Sequence, residues 1–360
     1  MKYFDLKVSA PGRLCLFGEH QDYFDLPVIP AAINLRIFIS GRKRKDKIFK
    51  ISLPDTEEEL EFSLEKELPY YKERDYLRSA INILNRKGIT ISSGWDCLIQ
   101  GNIPINSGTA SSSALVVAWT KFLLEAAKDF NALIPEKIAK WSFLSEVVEF
   151  NEPGGEMDHY SSSLGGVIAI HFGEKMRVKK FTSPLKEFVL ADSLQKKDTT
   201  GMLGYIKRHV LNGEAHMRKR IKGFTLKSSQ TSEAKAQIKN LPLDEKRLLQ
   251  GTLKTRDLTQ EGEALFESDD FDHIRFGQLL SLQHSVLRDN LRISTQKIEQ
   301  MIETSLSAGA LGAKTNGSGG GGCMFAYAPG NAEKVAETLK KIGARTYIVR
   351  VDEGVRKEVQ

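Results

Sequence analysis

A chain of 360 residues, 41% of them apolar and 27% charged, has material for two domains of ordinary globular composition. These proportions exclude disordered, collagen-like and coiled-coil classes, and no apolar run reaches the ~18 residues that a membrane helix needs. The formal charge of +6 comes from scattered basic residues with clusters at 42–47 and 218–222. No nucleic-acid motif accompanies them, so they read as solvated surface or as a cleft for an anionic ligand, with no nucleic acid and no membrane as partner.

The opening MKYFDLKVSA has no long apolar stretch, so no secretory leader is expected. Three cysteines, Cys15, Cys97 and Cys323, cannot build a disulfide framework, which predicts a reducing, cytoplasmic setting.

Alternation predicts a strand over 3–9, and the apolar segment 27–40 reads as strands ending in a basic turn. A hairpin follows over 46–63 and a strand over 94–100. Helices are predicted near 111–129, with Leu115, Ala118, Phe122, Leu123 and Ala126 on one face, and near 135–150. Strands at 164–172 and 186–192 bracket the expected domain boundary, giving domains 1–185 and 186–360. Residues 200–290 are polar and helix-favouring. Ser294 is the expected cap of a helix near 295–307, and Gly309 its stop. Two strands around a glycine loop, a helix near 331–342 and a strand at 346–352 complete a ferredoxin-like α+β layer.

Three loops have the chemistry to hold a phosphorylated ligand. Pro104-Ile-Asn-Ser-Gly-Thr-Ala-Ser-Ser-Ser-Ala114 precedes a helix, whose first-turn N–H groups and dipole favour an anion. It matches neither the Walker pattern nor the G-x-S-x-G elbow, and by itself it reads equally well as a capped helix start. Gly312–Cys323 contains G-x-G-x-x-G at 317–322, but a strand follows where a dinucleotide fold needs a helix. This counts against a nucleotide-dependent oxidoreductase. The third loop, Glu19-His20-Gln21-Asp22-Tyr23, gathers two acids, an imidazole and a phenol at a strand end, a set suited to a polyol. Glu146 and Asp158, the latter just past the Gly154-Gly155 turn, are individually weak signals, and the seven histidines are too isolated for a zinc site.

In order, PGRLCLFGEHQDY (11–23), PINSGTASSSAL (104–115) and GAKTNGSGGGGC (312–323) resemble the three motifs of the GHMP kinases and span nearly the whole chain. The first looks most like the galactokinase branch, as do GGEMDHYSSSLG (154–165) and HSVLRDNLRIS (284–294). The resemblance implies a two-domain α+β fold, its N-terminal part like domain 2 of ribosomal protein S5 and its C-terminal part ferredoxin-like. It also implies transfer of the ATP γ-phosphate, with Mg²⁺, to a monosaccharide hydroxyl, the anomeric one in a galactose-like sugar.

Carried over by motif, Asp158 is the acid beside the reacting hydroxyl and Arg13 its neighbouring cation. Glu19, His20, Asp22 and Gly155 fall at sugar-binding positions. Pro104, Asn106, Ser107, Gly108, Thr109, Ala110, Ser111, Ser112 and Ser113 would wrap the ATP phosphates. Glu146 and Ser112 would hold the magnesium, with Ser111 the near alternative, and Gly317, Gly319, Gly320 and Gly321 would support the phosphate loop and the substrate. The chain departs from the branch at Phe24-Asp25-Leu26, at Asn106-Ser107 and Thr109, and at His159, which stands where Gln is usual. Tyr205 and the stretch 192–199 occupy the place of the branch's sugar-contacting tyrosine. These departures leave open another sugar, a small alcohol such as mevalonate, or a silent sugar sensor.

Overall fold

The computed structural model describes residues 4–196 and 199–359. Strand β1 (Leu6–Phe17) pairs antiparallel with β2 (Ile29–Lys43), and the hairpin β3 (Ile48–Leu53) and β4 (Glu58–Ser63) follows. Helix α1 (Tyr76–Arg86) leads to β5 (Trp95–Gly101), which lies between β2 and β3 and is parallel to β3. From Ile29 on, segment 27–40 is part of one unbroken strand, because β1 pairs along most of β2 and β5 joins on its other side from Ile37. Strand β1 also runs beyond the expected 3–9, with register shifts between Pro11 and Arg13 and between Cys15 and Phe17. Such bulges re-aim side chains, and here they fall on the first motif.

Helix α2 (Ser111–Ala127) packs on this sheet. It has no single apolar stripe: Val116, Val117, Trp119 and Leu124 are buried along with Ala118, Phe122 and Leu123. The sheet covers one side and α1, α3 (Pro135–Phe143) and α4 (Met157–Leu164) cover the others. The helix expected over 135–150 divides, because α3 passes into a π-helical turn at Leu144–Val148. Strands β6 (Val167–His171) and β7 (Arg177–Phe181) extend the sheet from β2.

Strand β8 (Phe188–Asp192) opens the second sheet. Four helices follow: α5 (Thr199–Arg218), α6 (Thr231–Ile238), α7 (Leu243–Glu267) and α8 (His273–Val286). Helix α9 (Gln296–Ser307) is capped by Thr295, whose hydroxyl accepts the Ile298 N–H at 3.3 Å, while the expected cap Ser294 donates to Glu299. Its hydroxyl lies one residue too early for the first-turn donors. Strands β9 (Gly312–Thr315) and β10 (Cys323–Tyr327), helix α10 (Ala332–Lys341) and β11 (Arg345–Val349) complete a sheet of order β11-β8-β10-β9, antiparallel throughout. That order is the ferredoxin-like one and gives a two-domain α+β architecture. The short β12 (Arg356–Lys357) returns to pair with β1 in the first sheet. Among the described residues, no helix is long and apolar enough to cross a membrane.

Candidate active site

The three loops meet. Residues 104–110 bend through Asn106, Gly108 and Ala110, all with positive φ, and deliver the first turn of α2. The hydroxyls of Ser107 and Thr109 turn inward and donate to the Pro104 carbonyl at 2.7 and 3.2 Å, so they brace the loop. This leaves Ser111, Ser112 and Ser113 at the helix entrance, together with the first-turn N–H groups, to face a cleft of ≈ 210 Å³.

The glycine segment locks this loop from behind. Cys323 N–H donates to Ser107 O at 2.7 Å, and the Asn316 amide donates to Gly108 O at 2.9 Å. Gly317 has φ +74°, and a Cβ there would stand 2.7 Å from the Gly108 carbonyl. Only a residue without a side chain permits that approach. Of the four glycines carried over by motif, Gly317 lines the cleft. Gly319 and Gly320 instead close on Ile293, and Gly321 on Gln195. Pro104 and Thr109 likewise sit outside the lining.

Asp158 lies in the first turn of α4 rather than in a loop, and Arg13 holds it from the bulged strand. The guanidinium donates twice, Nε to Oδ1 at 2.8 Å and Nη2 to Oδ2 at 3.0 Å, and its Nη1 reaches the Gly108 carbonyl of the serine loop. Arg13 is buried and the carboxylate is 27% exposed, so the charge faces the cleft from a fixed fork.

At the other end of the first motif, His20 adopts φ +61°. It accepts the Tyr23 hydroxyl proton at Nδ1 (2.8 Å) and donates from Nε2 to the Ser318 carbonyl (3.1 Å). Asp22 accepts the N–H groups of Tyr23 at 3.0 Å and Met157 at 3.3 Å, and lies so close to Gly155 that a Cβ there would stand 2.2 Å from its Oδ2. Gly155 therefore serves as room for Asp22. Glu19 is buried against Lys314, which also donates to the Cys15 carbonyl at 2.8 Å. Its Oε2 has no hydrogen-bond partner in the structure.

Burial, and then the charge of Asp158, push the Asp22 carboxyl up to about 6. An acid whose folded value exceeds its unfolded ~3.9 keeps its stabilising share at low pH and loses it as the pH rises through about 6. Urea titrations from pH 4 to 7 should therefore show Asp22→Asn gaining up to ~3 kcal/mol on the parent across that window. A constant difference across the window would mean that Asp22 ionises freely.

Glu146 reaches the same cleft from the π-helical turn, its Oε2 accepting the His159 Nε2–H at 2.7 Å. The Ser112 hydroxyl lines the same cleft, and oxygen donors of these two kinds suit a hard cation such as Mg²⁺. Among the described residues, no three acids, histidines or cysteines gather as a self-sufficient metal cage.

Several lining residues carried no sequence signal. Arg74, Tyr76 and Glu152 form a rim in which Glu152 accepts from Arg74 at 2.6 Å and from Tyr76 at 3.1 Å, yet in sequence they sit among ordinary surface charges. Lys314 lies behind the lining, fully buried in β9, and reaches the cleft only through Glu19. Leu203 lines the cleft, whereas the Tyr205 ring lies tilted at 43° against His209, with centroids 4.3 Å apart. In the 192–199 stretch, residues 197 and 198 lie outside those described.

The family description "GHMP kinases N terminal domain" matches residues 75–166, "GHMP kinases C terminal" matches 263–345, and "Galactokinase galactose-binding signature" matches 4–43. A mevalonate kinase of Pyrococcus furiosus is 30% identical over 372 residues, covering 97% of each chain. A galactokinase of Mannheimia succiniciproducens is 27% identical over 366 residues, covering 95% of this chain and 89% of the relative. The fold is that of Lactococcus lactis galactokinase complexed with galactose, at TM-score 0.86 and 22% identity over 98% of this chain and 95% of that one. It also matches the Methanococcus jannaschii mevalonate kinase at TM-score 0.73 and 21% identity, covering 96% and 98%.

Proposed function

Since the chain belongs to the GHMP kinase family, we propose that it is a sugar kinase moving the γ-phosphate of ATP to a monosaccharide hydroxyl, the anomeric one of galactose or a close relative. The observation that carries this reading is the Arg13–Asp158 fork, which sets a carboxylate between the serine loop and the cluster of Glu19, His20 and Asp22.

The residues divide the work. The α2 entrance and its serines bind the phosphate chain, while Glu19, His20 and Asp22 orient the sugar. Asp158 aligns the acceptor hydroxyl and takes its proton. Arg13 holds that carboxylate and adds positive charge where negative charge develops. Phosphoryl transfer depends mostly on positioning and electrostatics, and this arrangement supplies both. Glu146 and Ser112 would hold Mg²⁺, which would supply charge neutralisation at the phosphate oxygens. Glu146→Gln should raise the Mg²⁺ concentration needed for nucleotide binding. Unchanged magnesium dependence would remove Glu146 from that role.

A second reading, mevalonate kinase activity, is favoured by the 30% identity to the Pyrococcus furiosus relative. The cluster of Glu19, His20 and Asp22 weighs against it, because it suits a polyol with many hydroxyls better than mevalonate, which brings two hydroxyls and a carboxylate that would meet these acids. An ADP-release assay with a monosaccharide panel and mevalonate decides between them. Turnover confined to one sugar supports the proposal, turnover of mevalonate replaces it, and sugar binding without ADP release identifies a sensor. Thermal protection by each candidate ranks the sugars independently.

A further inference from the structure

We propose that His159 is a positioning residue for Glu146: it draws one carboxylate oxygen aside so that the other alone is presented to a divalent cation. This rests on the magnesium-nucleotide reading above and adds to it a residue that belongs to neither the phosphate loop nor the sugar cluster.

Two side chains of one helical turn reach two different carboxylate systems. Asp158 turns to Arg13, and the next residue, His159, turns to Glu146. The His159–Glu146 bond is 2.7 Å long, with side-chain exposures of 2% and 8%. Water therefore cannot stand in for the imidazole. Phe143 packs edge-on to the ring at 5.6 Å and 75° and limits its rotation. The other ring nitrogen, Nδ1, has no hydrogen-bond partner among the described residues, so the bond to Glu146 is what orients the ring. On the opposite side, Glu146 rides the five-residue π-helical turn Leu144–Val148. Such turns shift side chains out of the regular helical register and are frequent at functional sites.

A carboxylate with one oxygen committed at 2.7 Å has the other left for a ligand, and its torsion is fixed before the ligand arrives. Mg²⁺ demands near-ideal geometry and accepts few protein ligands, so a pre-set single oxygen suits it. A carboxylate free to rotate would lose orientation on binding, and loss of an outer partner of this kind typically costs ~10–100-fold in metal affinity.

The test is calorimetric titration of ADP at a series of MgCl₂ concentrations, on protein verified as folded by thermal unfolding. His159→Leu should raise the Mg²⁺ concentration for half-maximal ADP binding ~10–100-fold and leave ADP affinity in EDTA unchanged. His159→Gln, which keeps an N–H donor of similar reach, should restore most of it. A purely structural staple would lower the melting temperature of His159→Leu without moving its magnesium dependence, and that result overturns the proposal. So does a His159→Gln variant no better than His159→Leu. Should His159→Leu fail to fold, His159→Gln and the shorter His159→Asn replace it, and equal magnesium dependence in those two is the overturning result. Glu146→Gln runs in parallel. If it leaves magnesium dependence intact, the magnesium role of Glu146 itself fails; if it shifts the dependence while the His159 variants do not, only the present proposal fails.

Discussion

Asp158→Asn is expected to lower kcat by ~10³-fold, within the 10²–10⁴ range typical of losing a positioned acid–base group, while nucleotide binding stays within a few-fold. The amide is nearly isosteric, so the first turn of α4 and the cleft shape persist. What goes is the charge and the capacity to take a proton. Arg13 keeps its contact with the Gly108 carbonyl but loses a carboxylate that accepts at both Nε and Nη2. Its positive charge is then left under-compensated in a buried position, so a modest fall in melting temperature should accompany the kinetic loss. Single-turnover phosphorylation together with ADP calorimetry separates the two effects. A variant with near-parental kcat would place the chemistry on another group and remove the main support for the kinase mechanism.

Lys314→Met should destabilise the protein by ~3–5 kcal/mol, the usual cost of truncating one partner of a fully buried ion pair. Lys314 and Glu19 have side-chain exposures of 0% and 1%, and each is the other's charge partner. The ammonium also satisfies the Cys15 carbonyl, which the methionine cannot do. Burial already pushes the Glu19 carboxyl above its ordinary value, with Lys314 pulling it back. Without that pull the folded-state value rises further. The penalty is then greatest at neutral pH and shrinks as the pH falls and the carboxyl takes up a proton. Adding Glu19→Gln to Lys314→Met removes the uncompensated charge and should recover a large part of the loss. Urea unfolding of the parent, both single variants and the double variant measures the coupling. A coupling below ~0.5 kcal/mol would mean that the pair does not act as a unit. Because Glu19 stands in the cleft beside His20, the same variant should raise the KM for sugar more than the KM for ATP.

The legible parts of the site were those whose chemistry is local. Gly317 needs positive φ and no Cβ, and the run Ser111-Ser112-Ser113 opens a helix. Both properties belong to a few contiguous residues and show in any reading of them. The ferredoxin-like ending was legible because each element from 296 to 349 is short, well bounded and capped nearby. Less legible was Asp158, expected after a turn but placed in a helical first turn, because the flanking Gly154-Gly155 hid the helix start. Gly155, expected at the sugar, lines the cleft and also makes room for Asp22, which no local pattern shows. Ser107 and Thr109 looked alike as phosphate ligands, yet their hydroxyls point to Pro104.

Sequence alone carried the three family motifs, whose resemblance implied the class of chemistry, and the expectation of an anion site at a helix entrance, since each motif is a run of about a dozen contiguous residues. Tertiary structure decided which charges meet. Lys314 finds Glu19 across 295 positions, and His159 braces Glu146. Such pairings depend on how two sheets and the helices between them close around the cleft. No local pattern carries that information, because burial, which makes a charge pair matter, is a property of the assembled core and not of the residues themselves.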